Sequence, residues 1–190
     1  MKIRLILACA CLCCAHAAAT DNRTNADAPV AHEALTAIAG LDVPRYMGTW
    51  YEIAKFPNWF QRKCVGSTTA EYKLQADGNV QVINRCKLAS GEMDEANGAV
   101  RQVGGATSPK LEVRFAPQWL SFIPMVWGNY WVIDLDDNYQ LVAVSEPKRE
   151  YLWVLSRTPK VSQTLYDDLL GRLKVKGFDV SKLEMTKQEN

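Results

Sequence analysis

Very few side chains in this sequence could do covalent or acid–base chemistry, and their types are informative. Outside the N-terminal segment the cysteines are Cys64 and Cys86. Either could act as a thiolate nucleophile, or the two could pair, as two such cysteines most often do in an oxidising compartment. Glu52 could serve as an inward acid beside a bound molecule. Asp136 and Asp137 are adjacent in a turn, where neighbouring carboxylates are normally solvated. The histidines are His16 and His32, both ahead of the region rich in strand formers. No Ser-His-Asp or Cys-His constellation, and no histidine metal cluster, can therefore be built from residue 41 onward. There is no Gly-rich phosphate loop, so no cofactor and no catalysis are expected. With 22 basic against 21 acidic residues, and no basic cluster, a nucleic-acid partner is not expected either.

The first residues, MKIRLILACACLCCAHAAA, read as an export signal over 1–19. Lys2 and Arg4 precede a short apolar run, and Ala15-His16-Ala17 and Ala17-Ala18-Ala19 are small-x-small cleavage candidates. That run is shorter than the roughly 20 residues a membrane-spanning helix needs. Cys9, Cys11, Cys13 and Cys14 lie within it. Ile6-Leu7-Ala8-Cys9 approaches a lipoprotein box but comes early, so simple cleavage and acylation both stay open. Residues 20–40 are small and polar without a clear period and are expected to form a flexible leader. The remainder, 41–190, is expected to be one domain.

Short alternating runs separated by turn signals recur through that domain at the spacing of an all-β barrel or sandwich. Strands are expected at Trp50–Phe56, Thr68–Leu74, Val80–Leu88 and Gly98–Val103, then Leu111–Phe115, Tyr130–Leu135, Gln140–Ser145 and Tyr151–Arg157. Asp77-Gly78 marks a hairpin whose two central residues would both need positive φ. After Pro159, Ser162 can cap QTLYDDLLGRLKVK, with Leu165, Leu169 and Leu173 on one stripe, Leu170 beside them and Gly177 as the stop. Eight meandering strands and one C-terminal helix point to a closed up-and-down antiparallel β-barrel with the helix packed outside.

One stretch breaks the pattern. PQWLSFIPMVWGNYW, Pro117 to Trp131, is nearly all apolar, yet Pro117 and Pro124 forbid a central strand or regular helix through it. It falls between the fifth and sixth strands, at an end of the barrel. Trp119, Leu120, Phe122, Ile123, Met125, Val126 and Trp127 could form an apolar rim for a ligand, a partner or a membrane, or fold down as a lid. Alternation places Ala70, Tyr72 and Leu74 on one face of the second strand. It does the same for Leu111, Val113 and Phe115 on the fifth. If Arg157 points inward, so do Leu155, Trp153 and Tyr151. From pattern alone these residues could line a cavity or fill a solid core, and the inward face of 130–135 is ambiguous.

Three motifs carry a family resemblance. Arg45-Tyr46-Met47-Gly48-Thr49-Trp50-Tyr51-Glu52 resembles the opening signature of the lipocalins, built on Gly-x-Trp. Leu135-Asp136-Asp137-Asn138-Tyr139 resembles the second, and Trp153-Val154-Leu155-Ser156-Arg157-Thr158-Pro159 the third. They occur in family order and at family spacing, and the resemblance runs from about Leu41 to the C-terminus. It implies a cup with Trp50 as its plug, Arg157 laid over the indole, Gly48 leaving room for the chain, and Asp136 and Tyr139 shaping a turn. A cation–π contact of that kind contributes roughly 0.5–2 kcal/mol. Tyr72 and Trp153 are implied as cavity-lining, and Cys64 and Cys86 match a pair that recurs among bacterial lipocalins. A bridge between them would add about 3 kcal/mol by loop entropy.

The resemblance, which is nearest to the outer-membrane lipocalins of Gram-negative bacteria, implies a carrier of the cell envelope. It would hold a fatty acid or lysophospholipid for lipid storage, transport and membrane maintenance, in the periplasm or at the outer-membrane surface. A homodimer could form through the rim. The alternatives are an enzyme acting on a lipid or isoprenoid through Cys64 or Glu52, and a protein that docks on a membrane or partner through the same rim.

Overall fold

The structure is a computed structural model that describes residues 33–189. The export signal, its four cysteines, the leader up to residue 32 and both histidines lie outside the described residues.

Eight strands run β1 (Gly48–Lys55), β2 (Cys64–Leu74), β3 (Val80–Leu88), β4 (Met93–Gln102), β5 (Lys110–Arg114), β6 (Gly128–Leu135), β7 (Leu141–Ser145) and β8 (Leu152–Ser156). Each pairs antiparallel with its successor, and β1 pairs with both β8 and β2, so the sheet closes on itself. This is the expected up-and-down barrel. β4 begins five residues before the expected Gly98, because Met93–Asn97 pair in register with Lys87–Ile83 although their side chains are mostly polar. The turn after β2 differs from expectation. Only Gly78 has positive φ, at 82°, and the Gly78 N–H donates to Gln75 O at 3.0 Å. It is thus a longer turn ending in a left-handed glycine, and Asp77 keeps an ordinary backbone.

A ninth strand, β9 (Glu184–Met185), was not foreseen. β1 pairs with β2 only through Gly48–Tyr51, while Ala54 and Lys55 pair with β9. The tail fills the gap left where β2 diverges. Ser67 N–H donates to Lys187 O at 2.7 Å, and the Gln188 amide donates to Glu52 O and Thr68 O at 2.7 and 2.9 Å. A Cβ at Gly66 would lie 2.6 Å from Lys187 O, so glycine is what lets the tail approach.

The helix α2 (Gln163–Val175) begins at Ser162, whose side chain accepts from Leu165 N–H. Its buried stripe is Leu169 and Leu173, with Tyr166 and Leu170 partly packed; Leu165, expected on that stripe, is 56% exposed. The stripe covers the outer face of β1, β6, β7 and β8 through Ile53, Ile133, Ala143 and Val154. Arg172 fixes the helix with two bonds to Asp134, at 2.8 and 2.9 Å. The leader does not stay free along its length. Leu35 is buried in this same cluster, and Ile38 N–H donates to Val132 O at 3.0 Å, so 33–40 is docked on the barrel.

Candidate functional site: the barrel interior and its two ends

At one end the barrel is plugged. The short helix α1 (Val43–Tyr46), capped by the Asp42 carboxylate, crosses beneath the strands. Trp50 is fully buried and donates its indole N–H to Tyr46 O at 2.9 Å. Arg157 lies over that indole at 3.9 Å from the ring centre and donates to Thr49 O and Arg45 O at 3.0 and 2.8 Å. Gly48 has φ of 93°, and a Cβ there would come within 3.3 Å of the guanidinium. Its role is this close approach in a left-handed backbone. Asp136 shapes the β6–β7 turn by accepting from the N–H groups of Asn138, Gln140 and Leu141. Tyr139, at φ of 60°, turns back so that its hydroxyl accepts from Asp42 N–H and its ring lies under Arg45.

Above the plug a layer of phenols spans the interior. Tyr46, Tyr72 and Tyr130 are 0%, 3% and 9% exposed, and their hydroxyls meet at Tyr130: 2.7 Å to Tyr46 and 2.8 Å to Tyr72. Burial among apolar neighbours pushes all three phenol pKa values up, so they stay protonated. Val132, Val142 and Val144 pack into the same cluster without exposure, and this part of the interior is solid. Tyr130 and Val132 are therefore the inward residues of β6, while Ile133 faces the helix cluster and Trp131 packs against it.

Towards the other end the inward residues change character. Val113 and Trp153 face in but are only half-buried. Their partial exposure shows that solvent reaches the inner wall towards this end. Phe115 is 44% exposed and rests on Gly98, where a Cβ would come within 2.9 Å of its ring. Tyr151 stacks on Trp153, with centroids 5.8 Å apart and planes 16° from parallel. The residues expected around one cavity are thus divided between the ends. Val113, Phe115, Tyr151 and Trp153 belong to the upper part, while Ala70 pairs with Trp50 of the plug. Tyr72 is in the phenol layer, and Leu74 and Leu111 lie at the plugged end, Leu74 being 55% exposed.

The mouth has a cover that the sequence did not reveal. In the loop after β1, Phe60 lies 6.1 Å from Trp153 and 5.6 Å from Tyr151. Gln61 holds the loop down: its oxygen accepts from Trp153 Nε1 at 3.0 Å and Asn58 Nδ2 at 2.7 Å, and its nitrogen donates to Glu52 at 2.6 Å. Glu52 is 2% exposed and also accepts from the Thr186 hydroxyl at 2.5 Å. Burial pushes its carboxyl pKa up, against the two hydrogen bonds that lower it. Cys64 directly follows the loop and is bridged to Cys86, with Cα atoms 5.5 Å apart. The aromatic pair Trp59-Phe60 next to Pro57 was the visible signal for this cover.

The apolar loop between β5 and β6 joins at the same end and is not folded in. Trp119, Phe122 and Met125 are 72%, 79% and 91% exposed, projecting into solvent from two short helical turns, Gln118–Leu120 and Pro124–Val126. Trp127 turns to the outer wall. It is set between Arg101 and Arg114, and its N–H donates to Ser121 O at 2.9 Å. Trp59, at 68% exposed, adds to the apolar surface of this end.

A closed eight-stranded cup, plugged by tryptophan under arginine and open at an aromatic mouth, defines the lipocalin architecture. The model of the lipocalin-like domain matches residues 41–188, and the chain belongs to that family. It is similar to temperature-induced lipocalin-1 of Arabidopsis thaliana, 39% identical over 80% of this chain and 82% of that protein. It is also similar to the outer membrane lipoprotein Blc of Vibrio cholerae, 36% identical over 83% and 88%, and to mouse apolipoprotein D, 31% identical over 79% and 78%. Among solved structures, insecticyanin from Manduca sexta shares the fold, with a TM-score of 0.64 at 19% identity over 82% of this chain and 85% of that one. Among the described residues no cluster of metal-ligating side chains occurs. No helix there is long and apolar enough to cross a membrane.

Proposed function

We propose that the protein is a lipid carrier of the cell envelope, holding one acyl chain of a fatty acid or lysophospholipid in the upper barrel. The observation that carries this reading is that Ala70, Val113 and Trp153 face inward yet are only half-buried, with Phe60 of the covering loop against Trp153. Burying an acyl chain there is favourable by about 0.8 kcal/mol per methylene before ordering costs, ample for micromolar binding. Lys55 is bonded to Glu184, and Arg157 is committed to carbonyls below. The chain would enter first and the polar head stay at the mouth. The similarity to outer membrane lipoproteins supports export and a place at the outer-membrane surface, with acylation or simple cleavage of the N-terminus to be read from the mature protein. The bridge between Cys64 and Cys86 leaves no free Cys64 thiol for the enzymatic alternative, and Glu52, its other candidate, is hydrogen-bonded to Gln61 and Thr186. Mass spectrometry of protein from its native membrane fraction tests the proposal. A co-purifying single-chain lipid is expected, and its absence, together with no response to added lysophospholipid, would count against it.

A second reading, docking on a membrane through the mouth, is favoured by the exposure of Trp119, Phe122 and Met125. It is compatible with carriage, since a rim seated in the headgroup region would let a lipid pass directly into the barrel.

A further inference from the structure

The plugged end of the barrel contains a crevice of about 300 Å³ that the carrier reading does not use. It lies between α1, the turn after β2 and the ends of β4 and β5. Leu41, Val43, Met47, Val80, Val100 and Leu111 form its apolar wall, Tyr46 and Tyr72 also line it, and Asn79, Arg101 and Gln102 stand at its edge. The phenol layer and Trp50, packed at ring distances of 5.0 to 6.1 Å, separate it from the upper interior.

The phenols supply a second observation. Three hydroxyls carry three protons, yet the cluster makes two bonds, Tyr72 to Tyr130 and the Tyr46–Tyr130 pair. Either hydroxyl can donate across the Tyr46–Tyr130 bond: if Tyr46 donates, the spare proton is on Tyr130, and if Tyr130 donates, it is on Tyr46, the arrangement that an acceptor in the crevice would select. A buried donor without an acceptor costs about 1–3 kcal/mol, so an acceptor entering the crevice would be held. The polar groups at the crevice edge are committed elsewhere: Gln102 donates to Ser108 O, Asn79 to Asp77, and Arg101 pairs with Glu112. The site thus presents apolar walls, a Tyr46 hydroxyl whose proton is free in one of the two arrangements of its bond to Tyr130, and no uncompensated charge.

We infer that this crevice is a second binding site, separate from the mouth, for a small uncharged molecule that is mostly apolar and carries one hydrogen-bond acceptor, such as an aryl ketone. Its volume is at the small end of ligand pockets, roughly 300–1,000 Å³, which excludes a long acyl chain.

Titration of the full-length protein with 2-acetonaphthone by calorimetry tests the inference, with 2-ethylnaphthalene as the analogue lacking the acceptor. Saturable binding of the ketone is expected both without and with saturating lysophosphatidylcholine. Tyr46→Phe should weaken the ketone by about five- to tenfold and leave the hydrocarbon unchanged. Val80→Phe, which fills the crevice from β3, should abolish both, with near-ultraviolet circular dichroism as the check on folding. No saturable ketone binding, or displacement of the ketone by lysophosphatidylcholine, would overturn the inference. Equal losses of ketone and hydrocarbon in Tyr46→Phe would also overturn it. Because lysophospholipid binding is measured in the same titrations, failure of the crevice and failure of the carrier reading are told apart.

Discussion

The indole N–H of Trp153, on the inner wall of the barrel, donates to the side-chain oxygen of Gln61 in the loop that covers the mouth, at 3.0 Å. The same amide donates on its other side to Glu52. One glutamine therefore couples the cover, the wall and the only acid buried deep in β1. Gln61→Ala removes these bonds at once and leaves an indole donor and a carboxylate oxygen without partners. Loss of about 1–3 kcal/mol is expected, read from urea denaturation. An unchanged midpoint would show that the loop is not held this way.

Arg157 should not tolerate lysine. A lysine ammonium can reach the indole of Trp50 but cannot donate in a fixed fork to Thr49 O and Arg45 O as the guanidinium does. Arg157→Lys is expected to cost about 2–3 kcal/mol of stability in denaturant titration. Wild-type stability in the variant would mean that the charge alone suffices at the plug.

Much of this end was legible in the sequence because it depends on residue type at fixed spacing. Gly48, Trp50, Asp136, Tyr139 and Arg157 stand in motifs that mark them even though Arg157 and Tyr139 act on residues far away in the sequence, and alternation back from Arg157 put Trp153 and Leu155 on the inner face. What was not legible depends on distant parts of the chain meeting. The tail from Glu184 has no strand-like period and pairs only because β2 leaves β1 early. Leu165 fits the helical stripe, yet it is exposed while Tyr166, Leu169 and Leu173 make the contact with the barrel. Alternation could not tell that Leu74 and Leu111 lie below the phenol layer, because it gives the face of a strand and not the height along the barrel.

Glu52 makes stability depend on pH. Its folded pKa is raised above the unfolded value, so the folded state holds the proton more tightly. The stabilisation this brings is complete below the ordinary carboxylate range and is lost as pH rises through the folded value. The wild type should therefore lose stability relative to Glu52→Gln as pH rises from the ordinary carboxylate range upward. Urea midpoints of both proteins over that rise in pH check the sign; a difference constant with pH would contradict it.

The exposed rim predicts a separable membrane contact. Trp119→Ala with Phe122→Ala removes side chains that are 72% and 79% exposed, so folding stability should change by no more than about 0.5 kcal/mol. Co-sedimentation with phospholipid vesicles should fall by about tenfold. Undiminished sedimentation would assign membrane contact to another surface.

Whether an acyl chain lies against Trp153 in the upper barrel is tested most directly by titrating a fatty acid brominated on its chain, kept below its micelle concentration, while following tryptophan fluorescence. The account predicts saturable quenching at one lipid per protein, most of it lost in Trp153→Phe. Quenching that never saturates, or that is unaltered by Trp153→Phe, would place the lipid outside the barrel.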